Sequence, residues 1–333
     1  LLLANHTLKQ LNMINIDEKN TKMSCMTNLL NECCTNMGKR NFKYQLLNPT
    51  TNIEFLNQEY NMISDLKSID FDIFRCNLQP IPDLSVLKRK LIMKKITPKN
   101  IYRLNGSFIK INNLLNLVNN NKTWDTYFTN KLNISLIEIE QIAHSIKKNI
   151  EKSFDLEKCK FIDTYVKFET NFINPGINEK LDNSINQLSK KEEGLFAIKD
   201  FLNNILLKVD KTKKKDVELI KYHETEKNNI SLILTDKRSK LLEGELKNYS
   251  DNVKIGSFNL NLRQISFSRQ STSNKFISSP EIIKLTKEIY RLKLEVMDNI
   301  LNSYKNIVNE MDSYSEDLKK IIKFIVLIEV IIC

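Results

Sequence analysis

Glycine and proline are both scarce, at six each in 333 residues. So few breakers argue against a turn-rich β architecture and favour long helices. No Gly-x-Gly-x-x-Gly and no Gly-Lys-Ser/Thr occurs, which argues against a phosphate-cradling loop. The three histidines, His6, His144 and His223, are scattered, and none belongs to a His-Glu-x-x-His helix or a triad-like cluster. The six cysteines, Cys25, Cys33, Cys34, Cys76, Cys159 and Cys333, lack metal-finger and redox spacing. With no signal peptide in view, they read as reduced thiols of an intracellular protein, and no metal site is expected. A long apolar run is missing too. "FIVLIEVIIC" is short of the ~20 residues that span a bilayer, and Glu329 interrupts it, so no membrane partner is expected. The chain opens on Leu1-Leu2-Leu3 without Met and stops inside that helical pattern, as a fragment of a larger protein would.

Cations are plentiful. Apolar content of 41% and charged content of 27% are those of an ordinary globular chain, but the net charge is +11. That balance suggests a polyanionic partner, nucleic acid ahead of a membrane surface. A Lys-rich composition can also be basic without purpose.

Residues 20 to 170 carry helical apolar spacing in "TNLLNECC", "NFKYQLL", "IEFLNQEYNMISDL", "DLSVLKRKLIMKKI" and "ISLIEIEQIAHSIKKNI". Pro49, Pro80, Pro82 and Pro98 mark the joints, and Asp83 and Thr97 stand where N-caps belong. After "NPGINEK" comes a heptad, Leu181, Leu188, Leu195, Leu202 and Val209, widened by Ile185, Ile198 and Leu206. At ~1.5 Å per residue such a helix is about 45 Å long and needs a partner along its length. "KKKDVELIKYHE", "NNISLILT" and "KIGSFNLNLRQISFS" then change to period two, predicting a small β-containing module over 213–275. Helix returns at Ser279, a good N-cap, followed by Pro280 and Glu281. A three-four apolar stripe runs from Ile282 through Leu285, Ile289, Leu292, Val296 and Ile300 to Ile325. The fold expected is mainly α: a helical domain over 1–175, a long helix over 176–212, the module over 213–275 and a second long helix over 276–333. The two arms would pack antiparallel, because neither stripe can be buried alone.

Gly38-Lys39-Arg40 invites comparison with a nucleotide loop. The upstream Gly position holds Cys33 and the Ser/Thr position holds Arg40, so both requirements fail. Carboxylate pairs such as Glu192 and Glu193 sit among lysines and read as solvated; no catalytic residue is expected. The module is different. Residues 211–275 hold fourteen cations against eight acids, a balance of +6 that is over half the chain's net charge. Such a surface suits a phosphate backbone, although charge alone is equally explained by a solvated basic face.

The stretch "TNLLNECCTNMGKRNFKYQLLNPTTNIEFLNQEYNMISDL" resembles the core, or lever, region of the MutS family of DNA mismatch-repair ATPases. Thr35, Gly38, Lys39, Arg40, Leu46, Leu47, Pro49, Asn52 and Ile53 carry the pattern. The family's Arg in the following helix is absent, with Gln58 or Glu59 near its place. "DLSVLKRKL", "NPGINEKLD" and "SRQSTSNKFISSPEI" are similar to later family segments, in order. "NNISLILTDKRSKLL" looks most like the divergent homologues of large DNA viruses and octocoral mitochondria. The resemblance implies a lever carrying a clamp that holds duplex DNA by its backbone and couples to an ATPase domain absent here. ATP and Mg are expected only for that missing domain, with no cofactor in this stretch. It also implies a homodimer or heterodimer through the full-length protein, located wherever the DNA is: nucleus, viral factory or mitochondrion. The candidate DNA-backbone contacts are Lys237, Arg238, Lys240, Arg263, Arg269 and Lys275. Gly38, Arg40 and Pro49 are expected to be structural, Gly38 for close packing or a turn and Pro49 as a helix stop. The family's mismatch-reading Phe-x-Glu does not occur. The rival reading is a non-enzymatic coiled-coil scaffold with a basic head.

Overall fold

A computed structural model describes residues 5–15, 21–66, 71–119, 122–210, 218–225, 228–256 and 258–333. Lys211, Lys213, Lys214, Lys215 and Lys227, with part of the strand expected in "KKKDVELIKYHE", lie outside them. The fold is mainly α with small antiparallel sheets. Helices α1 Asn5–Gln10, α2 Met26–Leu30, α3 Asn36–Leu47, α4 Ile53–Leu66, α5 Phe71–Leu78, α6 Leu84–Ile92 and α7 Pro98–Asn119 come first. They are followed by α8 Lys122–Leu132, α9 Leu136–Ser153, α10 Leu156–Cys159 and α11 Glu179–Val209. Strands β1 Lys221–Thr225 and β2 Asn228–Thr235 lead into α12 Asp236–Leu246. Then come β3 Asn252–Ile255, β4 Phe258–Asn261, β5 Ser266–Arg269, β6 Asn274–Ser278, α13 Pro280–Met311 and α14 Ser315–Ile332. The chain divides into two compact units, Leu1–Asn174 with Tyr304–Cys333, and Pro175–Ser303.

In the first unit the residue types chosen at helix starts fit their task. Asp83 accepts from the Val86 N–H at 3.2 Å and Thr97 Oγ1 from the Asn100 N–H at 3.2 Å, each meeting a donor that the first turn leaves unpaired. Helix α7 buries Ile101, Leu104, Phe108, Ile111, Leu114 and Leu115, the spacing of one helical face. Helix α14 packs on α3, α4, α6, α8 and α9 and buries Leu318, Ile321, Phe324, Ile325 and Ile328. The apolar run at 324–332 is therefore a hub of this core.

In the second unit α11 and α13 run antiparallel. Lys191 pairs with Glu288 at 2.6 Å, and Asn299 donates to Ser184 Oγ at 3.2 Å, so positions fall on one helix as they rise on the other. Leu195, Ile198, Leu202 and Leu206 share one core with Ile282, Leu285 and Ile289 and with Leu232, Leu234, Leu260 and Ile277 of the sheets. The larger sheet has the order β1-β2-β6-β5 and the smaller is β3-β4, all antiparallel. Period two is visible in β2, where Leu232 and Leu234 are buried.

The stripe expected along 282–325 is buried at each position named for it, but it serves two cores in turn. Its residues to Ser303 belong to the second unit and those from Tyr304 to the first. Tyr304 donates its hydroxyl to Ile96 O at 2.6 Å, and its ring lies 5.0 Å from Phe168 and 5.5 Å from Phe172. A 3-10 turn at Asp312–Tyr314 separates α13 from α14. Helix α12 stands where only period-two structure was expected.

Candidate nucleic-acid interface

The six candidate cations occupy three settings. The first centres on the start of α12. The Asp236 N–H donates to Ser273 O at 3.0 Å, which fastens that start to the β5–β6 turn. The Asp236 carboxylate takes the Lys275 ammonium at 2.9 Å and the Lys240 ammonium at 3.3 Å. Those two bonds hold Asp236 below the usual carboxylate range. Lys275 lies directly opposite Arg269 in the β5–β6 register. Like charges directly opposite repel, and the Asp236 carboxylate neutralises only one of the facing pair, Lys275, together with Lys240. Lys237 follows Asp236 and is exposed, as is Arg269; neither makes an ion pair with a described residue. Lys240, Lys275 and, by register, Arg269 thus gather around a single Asp, with exposed Lys237 the next residue along α12.

The second setting is half-buried. Arg238 points its Nε at Asp210 Oδ2, 3.2 Å away. Asp210 is the buried C-cap of α11, so Arg238 compensates a desolvated carboxylate and ties α12 to the end of α11. The third setting is the small sheet. Arg263 pairs with exposed Asp251 at 2.7 Å, beside the Asn261 side chain that accepts from the Arg263 N–H. The sequence grouped all six; the structure brings Lys240, Arg269 and Lys275 together, leaves Lys237 next to Asp236 in α12, and separates Arg238 and Arg263. The missing signal was α12 itself, whose first turn opens on Thr235-Asp236 and whose buried Ser239, Leu242 and Leu246 keep helical spacing.

Gly38, Arg40 and Pro49 lie in the first unit. Thr35 caps α3, its hydroxyl accepting from the Gly38 N–H at 3.1 Å. The fully buried Glu329 of α14 accepts from the Thr35 N–H at 2.5 Å and from the Thr35 hydroxyl. Gly38 lies flush against that carboxylate. An anion-binding loop here would set phosphate beside a buried acid, so these residues do not fit a nucleotide. Glu329 was read as an interruption of an apolar run; it is the group around which the motif is built, and its burial was not readable. Arg40 forks onto Asp83 at 2.6 and 3.1 Å. Burial works to raise the Asp83 pKa, but the Arg40 fork and the Val86 N–H outweigh it and hold the carboxyl low. Exposed Pro49 follows Asn48, the C-cap of α3. Among the described residues no group of three or more His, Cys, Asp or Glu is placed to hold a metal, and no helix is long and apolar enough to cross a membrane.

A family model described as MutS domain III matches residues 6–333. The chain is 25% identical over 264 residues to a putative DNA mismatch repair protein, a mutS homologue, of Acanthamoeba polyphaga mimivirus, covering 77% of this chain and 22% of the relative. It is 32% identical over 149 residues to the mitochondrial DNA mismatch repair protein mutS homologue of Sarcophyton glaucum, covering 43% and 15%. It is 27% identical over 190 residues to the DNA mismatch repair protein MutS of Borrelia turicatae, covering 49% and 21%. The chain spans about a fifth or less of the length of these relatives.

Proposed function

The chain belongs to the MutS domain III family, and from that premise we propose that it is the lever-and-clamp portion of a mismatch-repair protein. Residues 213–275 act as the clamp and hold duplex DNA by its phosphates, without reading sequence. The observation that carries this reading is the group of Lys240, Arg269 and Lys275 around Asp236, with exposed Lys237 beside it in α12. Phosphate brought to this group relieves the repulsion between Arg269 and Lys275, and two of the four cations reach it without breaking an ion pair. Arg238 and Arg263 are assigned lesser parts, because their carboxylate partners already hold them. The long helices transmit the clamp's state to an ATPase domain elsewhere in the full-length protein, where ATP and Mg are bound; the full-length protein forms a homodimer or heterodimer. A lever of this kind needs stiff elements with two arrangements that ligands bias. The protein works where its DNA is.

A salt titration of duplex binding tests this. Each phosphate contact contributes about −0.9 to the slope of log affinity against log salt. Lys237→Ala with Arg269→Ala should flatten that slope by about two units and weaken all sequences alike. Slopes and affinity unchanged from the parent would leave the basic head a solvated surface, and the scaffold reading would stand instead.

A further inference from the structure

The second unit also holds a pocket of opposite character. It is a cavity of about 480 Å³ between α11, β1, β2 and α13. Its apolar side is made by Leu195, Phe196, Tyr222 and Ile230, with Phe196 55% and Tyr222 42% exposed. The two rings come from different elements and open onto one cavity, so they form a contiguous apolar face rather than scattered exposure. The polar side is acidic. Glu192, Glu193 and Glu224 line it with one cation, Lys293.

These charges have different duties. Lys293 bridges Glu224 at 2.7 Å and Glu192 at 3.8 Å, which joins α13 to β1 and α11 and fixes the shape of the cavity. Glu193 accepts only from the Ser189 hydroxyl, at 3.2 Å, and no described cation pairs with it. The described lining residues of the pocket therefore carry an excess of two negative charges inside a chain of +11. Burial, then the carboxylates of Glu218 and Glu192, push the Tyr222 phenol up, as a negative field does. The same rings already flank a desolvated cation, which Glu218 holds at 2.8 Å. The Lys199 ammonium, on a residue 5% exposed, lies 4.5 Å from the Tyr222 ring centroid and 5.4 Å from that of Phe196.

We propose that this pocket docks a basic peptide segment of a partner protein, its Arg or Lys side chain held between Glu193 and the aromatic wall and a neighbouring apolar side chain filling the cavity against Ile230. A guanidinium suits both halves, since it pairs with carboxylates and stacks on rings. DNA is repelled from the same place, so the partner and the duplex use separate surfaces of the second unit.

The test is fluorescence anisotropy of the full chain with a labelled nonapeptide carrying Arg-Leu-Arg between Gly and Ser residues. Saturable binding is expected, weakened at least tenfold by Glu193→Lys and by Phe196→Ala. Glu243→Lys makes the same charge change at an exposed α12 position outside the pocket and should leave affinity within about twofold. Equal losses in the two charge reversals would reduce the effect to long-range attraction and overturn the site. Equal binding of a peptide with citrulline for both Arg would overturn the cationic occupant. Concentration-dependent self-association abolished by Glu193→Lys would make the occupant a second copy of this chain and overturn the partner. Absence of saturable binding overturns the proposal outright. Circular dichroism of each variant separates these results from misfolding.

Discussion

A β-carbon built on Gly38 would lie 2.0 Å from a Glu329 carboxylate oxygen and 3.0 Å from the Glu329 β-carbon. The carboxylate cannot simply swing aside, because the Thr35 N–H and hydroxyl hold it in a buried site. Gly38→Ala is expected to cost about 1–3 kcal/mol by overpacking, read as a shift of the urea midpoint. Burial raises the Glu329 pKa, and the bonds from Thr35, Cys34 and Gly38 oppose the rise without cancelling it. A raised folded-state pKa contributes stability that is fully present below the unfolded value, near 4.5, and is lost as pH rises through the folded one. Glu329→Gln stays neutral throughout. Its Tm relative to the parent should therefore climb between pH 4 and pH 8; a flat or falling difference would show that the carboxyl is not raised.

Among the elements, α11 depends on one position of close approach. A β-carbon on Gly194 would meet the Phe258 ring of β4 at 2.1 Å, with two further ring atoms within 2.8 Å. Phe258 packs against the core of the second unit, and α11 seats on it because residue 194 has no side chain. Gly106 and Gly244 are also helical, yet nothing lies within 4 Å of their added carbons. Intrinsic propensity favours Ala over Gly by about 1 kcal/mol at all three. Denaturant unfolding should then sort the variants by sign: Gly106→Ala and Gly244→Ala stabilised by about 0.5–1 kcal/mol, Gly194→Ala destabilised. A stabilised Gly194→Ala would mean that α11 and β4 are not in contact.

For the molecule as a whole, charge and chemistry are distributed unevenly. The second unit carries both the basic group and the acidic pocket, and the first carries the Gly-Lys-Arg string that most resembles a nucleotide loop. That string is folded into α3 with its glycine against a buried acid. The chain is accordingly expected to release no phosphate from ATP above background in a coupled assay. Turnover that vanishes in Lys39→Ala, at an exposed site with no structural burden, would reverse that assignment.

Periodicity made much of the fold legible. The heptad from Leu181 and the three-four stripe from Ile282 both mark buried faces, and Asp83, Thr97 and Ser279 cap the helices they precede. These features depend on neighbours within one or two turns, so residue type and spacing alone determine them. The basic balance of 211–275 was equally plain, but its sorting was not. Asp210 claims Arg238, Asp251 claims Arg263, and the β5–β6 register sets Arg269 against Lys275. The burial of Glu329, the handover of one stripe between two cores at Tyr304, and the acidic pocket around Phe196 likewise required partners far away in the chain. Local patterns say which face of an element must be covered; only the packed structure decides what covers it, and which charges are left free to meet a ligand.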